Sequence, residues 1–409
     1  MTNKPLIIIG AGAAGMMAAG HAASRGLPVL VLECNGQAGA KLSITGKGRC
    51  NLTNDCTPDE FLEGIAFNGR FLYSALAQFP PSGTMSFFEG LGLLLKTERG
   101  RRVFPKSGRA SDLVSCLYSW NKRQGVIFRF NTRATGLGSE NGSVSGVYAS
   151  NEFIPAENVV VACGGMSFPK TGSTGDGYEL AKQAGHTIAT PRPSLVPFNS
   201  PNGYCRDLQG LALKNVTLRL SDSNGKTLFS DGPGEVLFTH FGISGPLALS
   251  ASAHWENGAN INIDLKPGMS EKMLDARILR DFKKYHSKIL KNSLSDLLPG
   301  GIIPVIISLS DIAEDKKISA ITKAERLRLL NVLKNFPIRI SGTRTIQEAI
   351  ITRGGVVCHE IHPKTLESKL CRGLYFAGEV IDLDGYTGGY NLQIAWSTGY
   401  VAGINAGRC

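Results

Sequence analysis

No run of eighteen consecutive apolar residues occurs in this chain of 409 residues, so no membrane-spanning helix is expected. The opening passes from Lys4 straight into a five-residue apolar run ending at Ile9, too short and wrongly flanked for a secretory leader. Cys-x-x-Cys is missing too. The nine cysteines, Cys34, Cys50, Cys56, Cys116, Cys163, Cys205, Cys358, Cys371 and Cys409, form an odd, unpaired set that argues against a disulfide framework and against a zinc site. A reduced, soluble, cytoplasmic protein without a bound metal or stable membrane association is the expectation. There is no Gly-X-Y period. The 49 glycines and 19 prolines of 409 residues together stay below the roughly 25–30% at which disorder becomes the default.

Glycine is nevertheless in excess, about 12% by those counts against roughly 7% in average proteins. The surplus asks for tight turns or for backbone brought close to a ligand. The length suits two or three domains. Forty-four basic against 33 acidic residues leave +11 and a pI near 9.2, which puts polyanions among the partners to consider. The charge is dispersed: Lys96 to Arg109 holds six cations against Glu98, and Glu271 to Lys291 holds seven against three acids. Either run reads as a phosphate-contacting surface or as an ordinary solvated face.

Residues 6–33 read as a βαβ unit. The apolar segment Leu6–Ile9 leads into Gly10-Ala11-Gly12-Ala13-Ala14-Gly15, a small-residue helix follows to about Ser24, and a second apolar strand, Val29–Leu32, delivers Glu33. This is G-x-G-x-x-G between a strand and a helix with an acid 18 residues beyond its last glycine. Gly10 permits the turn, Gly12 lets backbone approach a pyrophosphate, Gly15 lets the helix pack on the strand, and the helix N-terminus faces the phosphate charge. Glu33 is placed to accept from ribose hydroxyls.

Three more segments favour FAD over NAD as the dinucleotide. Val159–Val161 runs into Ala162, Cys163, Gly164 and Gly165, which suits backbone crossing beside a cofactor. Leu374–Ala377 runs into Gly378-Glu379, then Gly385 to Asn391, then a helix to about Gly403. A strand delivering an acid to a ribitol hydroxyl, followed by a helix N-terminus aimed at a flavin ring, is what FAD needs. No second G-x-G-x-x-G sits between a strand and a helix, so no dedicated NAD(P)H domain is expected. The run 39–54, with Lys41, Gly46, Lys47, Gly48, Arg49, Asn51 and Thr53, reads as a donor-rich loop suited to a pyrophosphate and an isoalloxazine, or as a plain basic loop.

The Gly10–Gly15 turn, Gly46-x-Gly48-Arg49-Cys50-Asn51-x-Thr53-Asn54, Lys170 to Gly177, Phe238-Thr239-His240-Phe241-Gly242-Ile243-Ser244-Gly245-Pro246 and the closing Gly378 to Asn391 together resemble the BaiN-like (YhiN-type) NAD(P)/FAD-dependent oxidoreductases over essentially the whole chain. One departure is Gly39-Ala40-Lys41 where that family usually has Gly-Arg-Lys. A phosphate contact made by that arginine would be missing here, weakening FAD binding, or would be supplied by Lys41 or Lys47. The resemblance implies an α/β fold: a glutathione-reductase-like Rossmann FAD-binding domain, 1–192 and 342–409, interrupted by a β-barrel-like subdomain and a small helical subdomain. The β-rich part is expected at 193–268, completed by strands near 336–357, and the helical cap at 269–335. Locally, Val216–Leu220 and Thr227–Phe229 alternate about an Asn224-Gly225 hairpin turn, and Met273, Leu274, Ile278, Leu279 and Phe282 have helical spacing.

Expected cofactor contacts are Gly10, Ala11, Gly12, Ala14, Gly15, Glu33, Lys41, Gly46, Gly48, Arg49, Cys50, Asn51, Thr53, Ala134, Ala162, Gly164, Gly165, Gly378, Glu379, Gly389, Asn391, Leu392 and Gln393. For chemistry, His240 is a proton-transfer candidate or a loop-orienting residue. Cys50 is a thiol that Arg49 would acidify, or a packing residue. Tyr386 and Tyr390 flank the glycine turn as proton donors or pocket walls. The resemblance implies reduction of FAD by diffusible NAD(P)H and of an activated C=C bond by the flavin. Members have been linked to enone reduction in steroid-like acids, to reduction of a uridine in ribosomal RNA and to small-amine oxidation. The positive charge keeps ribosomal RNA beside a small molecule as substrate, although no aromatic-studded single-strand-binding motif is present. A dinucleotide-binding sensor or scaffold is the non-enzymatic reading.

Overall fold

A computed structural model describes residues 4–407, which leaves Cys409 outside the described residues. The chain divides into two compact units, one running to Ser194 and resuming at Thr345, the other Leu195–Arg344.

The first unit is built on a five-stranded sheet in the order Leu374–Phe376, Val159–Val161, Leu6–Ile9, Val29–Leu32, Ile127–Arg129. All neighbours are parallel. The inner strands are buried along their full length, as the unbroken runs of Val, Ile and Leu require of a parallel sheet covered on both faces. Ala13–Ala23 follows the first strand and is almost wholly buried, an apolar helix with no polar face to present to water. It packs on the C-terminal helix Tyr390–Asn405, where Gly399 and Gly403 allow close approach: a Cβ on either would lie 2.4 Å from the carbonyl oxygen of Ala14 or Ala18. Arg25 closes the pair, donating to the carbonyls of Gly403 and Ala406 at the far end of that helix. A three-stranded antiparallel sheet, Ala134–Glu140, Ser143–Ala149 and Glu152–Pro155, and the antiparallel pair Ile188–Ser194 with Ile351–Val356 complete the main strands.

The second unit holds a seven-stranded antiparallel sheet in the order Phe336–Ile338, Asn260–Asp264, Ala212–Ser221, Thr227–Thr239, Gly242–Ser244, Phe198–Asn199, Gly342–Thr343. Its helices include Pro246–Ser252, Glu271–Lys284, Ile303–Leu309 and Lys323–Lys334. The hairpin at 221–227 is wider than the two-residue Asn-Gly turn the sequence suggests, because the Asp222 carboxylate accepts from the amides of Asn224 and Lys226 and holds five residues in the loop. The expected strand Thr227–Phe229 is the start of a thirteen-residue strand, Thr227–Thr239, irregular opposite Lys214–Leu218. Ile351–Val356, expected near the β-rich subdomain, instead pairs with Ile188–Ser194 in the first unit. On Glu271–Lys284 the core stripe is Leu274, Ile278 and Phe282, four residues apart; Met273 and Leu279, read as part of that stripe, point to solvent.

Candidate functional site

From the central strand Leu6–Ile9 the chain builds outward through Val29–Leu32 to Ile127–Arg129, then crosses back to lay Val159–Val161 on the other side. The switch in direction falls between the C-terminal ends of Leu6–Ile9 and Val159–Val161, the position where open parallel sheets bind nucleotides. Gly10 occupies that edge with φ +103°, and a Cβ there would lie 2.6 Å from the Ala162 carbonyl oxygen. Gly15 is closer still, since its Cβ would overlap the Gly10 carbonyl at 1.9 Å. Gly12 differs: a Cβ there would meet no atom within 4 Å. Gly10 and Gly15 are demanded by the fold, whereas no protein atom demands glycine at position 12. The helix that begins at Ala13 has no acidic residue in its first turn and no side chain capping it, so its N-terminal amides remain available to an anion.

Glu33 is buried. One carboxylate oxygen accepts from the Ala11 amide at 2.7 Å, and the other accepts from the Asn35 amide and side chain at 2.8 and 2.7 Å. Ala134 is buried at the start of its strand, two residues beyond Thr132, whose amide donates to the Glu33 carbonyl. Gly164, at φ +75°, and Gly165, where a Cβ would come within 2.5 Å of the Thr352 hydroxyl, follow Ala162 along the same edge.

The stretch 39–54 is not the plain loop its composition suggests. Ala40–Gly48 is a short helix broken by Thr45, Gly46 and Lys47, with both Gly46 and Lys47 left-handed. Lys41 turns inward and ion-pairs with Glu379 at 2.6 Å while donating to the Ser167 hydroxyl at 2.7 Å. The other Glu379 oxygen accepts from Ser167 and from the Thr352 amide. Both residues expected to touch cofactor directly are thus tied to each other. Lys47 is exposed. Arg49 pairs with Glu98 and stacks over Phe104 at 4.3 Å, so it does not acidify Cys50 as expected. The Cys50 thiol is fully buried and desolvation pushes it up to about 12, which favours the packing alternative over the thiolate one. Asn51 next to it is the informative residue: its buried side-chain oxygen has no hydrogen-bond partner. An orphaned acceptor in a donor-rich turn fits a ligand that brings an N–H or O–H.

The turn 51–54 is stitched to the head of the C-terminal helix. The Thr53 hydroxyl donates to Gln393 at 2.6 Å, Asn54 donates to the Gly388 carbonyl at 3.1 Å, and a Cβ on Gly389 would strike the Thr53 carbonyl at 2.4 Å. Asn391 holds the Gly385 peptide from both sides, accepting from its amide and donating to its carbonyl. Leu392 packs partly buried against the core. Gly378 touches the first helix, where a Cβ would lie 2.8 Å from that of Ala14. Tyr386 is half-buried and its amide donates to Gly64, while Tyr390 packs against Phe61. The residues from 10–15, 33, 41, 51–53, 162–165, 378–379 and 389–393 are therefore assembled within the first unit. His240 belongs to the second unit, exposed at the turn before Gly242–Ser244 with its ring edge-on to Phe241. Sequence reasoning missed Ser167, Thr352 and Asp384. The first two carry no local signal, since their partners lie some 200 residues away; Asp384 stood inside the glycine-rich closing segment without a pattern of its own.

The family described as HI0933-like protein Rossmann domain matches residues 4–405. The chain belongs to it. It is accordingly a member of a flavoprotein oxidoreductase family with a Rossmann-type FAD-binding fold. Among curated relatives, a 3-dehydro-bile acid delta(4,6)-reductase of Clostridium scindens is 33% identical over 415 residues, covering 97% of each chain. A ribosomal RNA dihydrouridine synthase of Haemophilus influenzae is 32% identical over 408 residues, covering 98% of each. Among solved structures, a 3-ketosteroid-delta4-(5alpha)-dehydrogenase of Rhodococcus jostii superposes with a TM-score of 0.57 at 17% identity, over all of this chain and 98% of that one, a likeness of fold. No helix among the described residues is long and apolar enough to cross a membrane.

Proposed function

We propose that this chain uses NAD(P)H to reduce an FAD bound along the Gly10–Gly15 turn, and passes the electrons to a carbon–carbon double bond conjugated to a carbonyl. The observation that carries the reading is the pair of activities named for relatives 33% and 32% identical to this chain: a delta(4,6)-reductase of a 3-dehydro acid and a uridine-reducing enzyme both saturate such a bond. The residues fit the cofactor. Gly12 and the bare helix N-terminus at Ala13 suit its pyrophosphate, Glu33 its adenosine ribose, and the Asn51 oxygen and the Gly389–Gln393 helix head its ring. FAD supplies the redox step; the protein positions it and excludes water.

The acceptor is the finer question. A small enone-like acid is the first reading. A uridine in ribosomal RNA is the second, favoured by the net charge of +11 and by exposed Arg99, Arg102 and Lys106, which have no carboxylate partner among the described residues. Reduced holoprotein mixed anaerobically with each acceptor separates them. Return of the flavin absorbance with a 3-oxo-delta4 acid supports the first. Loss of a uridine in under-modified ribosomal RNA, weakening steeply with salt, supports the second. A bound flavin that NADH and NADPH both fail to reduce, or that reoxidises with neither acceptor, sinks the proposal.

A further inference from the structure

Asp384 and Ser194 both show 0% exposure; neither carboxylate oxygen of Asp384 nor the Ser194 hydroxyl makes a hydrogen bond of normal geometry, yet the hydroxyl lies close enough to the carboxylate to favour its ionised form. An ionised carboxylate left buried without donors is costly, so this group must hold a proton or be compensated from outside. Its charged neighbours act in opposite directions. Arg353, on the strand Ile351–Val356, attracts it, but that guanidinium lies over the Phe67 ring at 3.4 Å. Glu379 and Asp382 repel it, the latter held by Asn68. The paired strand Ile65–Phe67 brings no charge. Burial, reinforced by those two carboxylates and opposed by Ser194 and Arg353, pushes Asp384 up to about 7. The carboxyl is also rigidly placed: Gly385, the next residue, is the peptide clamped by Asn391 at the head of the helix that begins at Tyr390.

We infer that Asp384, supported by Ser194, is a redox-linked proton site, whose carboxylate takes one proton from solvent when the bound cofactor gains an electron pair and releases it when the pair leaves. This rests on the FAD reading above. A hydride brings two electrons and one proton and leaves the cofactor one unit more negative. The O–H bond formed on Asp384 cancels that unit, and the same bond breaks, returning its proton to water, when the acceptor takes the hydride.

The test is the midpoint potential of the bound flavin as a function of pH in wild type, Asp384→Asn and Ser194→Ala. The wild-type line should bend near neutrality. Asp384→Asn, which cannot ionise, should coincide with it at about pH 5.5, where the wild-type carboxyl is protonated, and lie at higher potential at about pH 8.5, where the wild-type charge opposes reduction. Coincident lines at both pH values overturn the inference. If Asp384→Asn fails to retain flavin, Ser194→Ala decides: loss of the hydroxyl should move the bend to higher pH, and an unmoved bend overturns it. Wild-type protein that holds no FAD fails the cofactor reading instead, which is a separate outcome.

Discussion

The dinucleotide turn at 10–15 and the ion pair of Lys41 with Glu379 both follow the C-terminal ends of strands in one parallel sheet, yet they are made in opposite ways. At the turn the arrangement comes from side chains that are absent: Gly10 and Gly15 vacate space for backbone, and Gly12 leaves open space where the proposed FAD pyrophosphate would lie. At the ion pair, side chains separated by 338 residues meet in a half-buried tie with Ser167 and the Thr352 amide. The first arrangement is local and fails all at once; the second is distributed and should fail by degrees.

Gly15→Val is expected to be the most damaging substitution. Its Cβ would overlap the Gly10 carbonyl, backbone on both sides, so a loss above roughly 4 kcal/mol or no folded protein at all is expected in denaturant unfolding. Next is acid. His21, on the helix that follows the turn, is packed among Phe79, Phe87, Trp120 and Tyr400, and burial lowers it to about 4. The unfolded imidazole therefore takes up a proton first, and stability present at neutral pH is lost as pH falls from about 6.5 toward 4, by up to roughly 3 kcal/mol. His21→Phe should flatten that limb of a pH-dependent unfolding curve. Lys41→Met leaves Glu379 with its Ser167 and Thr352 donors. Because the pair is about one-fifth exposed, a loss of about 1–2 kcal/mol in thermal unfolding is expected rather than collapse. Cys50→Ala should be smallest, about 1 kcal/mol in stability with reductive turnover within about twofold; a thousandfold loss of turnover in a folded protein would restore the thiolate role.

The same contrast explains what was legible in the sequence. Strands Leu6–Ile9, Val29–Leu32 and Val159–Val161 and the glycine turn were readable because period, composition and spacing are local properties. The broken helix Ala40–Gly48 was not, since Gly46 and Lys47 in left-handed geometry look like loop composition while the tie of Lys41 to Glu379 that anchors it lies outside any window. Met273 and Leu279 satisfied a helical period that the core face did not use. Asp384 was invisible for another reason. Nothing in a sequence marks a carboxylate that the fold will bury without a partner.

FAD is proposed to lie against the Gly12 turn. The direct measurement is FAD titrated into cofactor-free wild type and Gly12→Ala, with the unfolding midpoint of each recorded alongside. An unchanged midpoint is expected, because the added methyl meets no protein atom, and an affinity at least about tenfold weaker, because it enters space the pyrophosphate would need. Equal affinity in the two proteins, or a wild type that takes up no FAD, would contradict it.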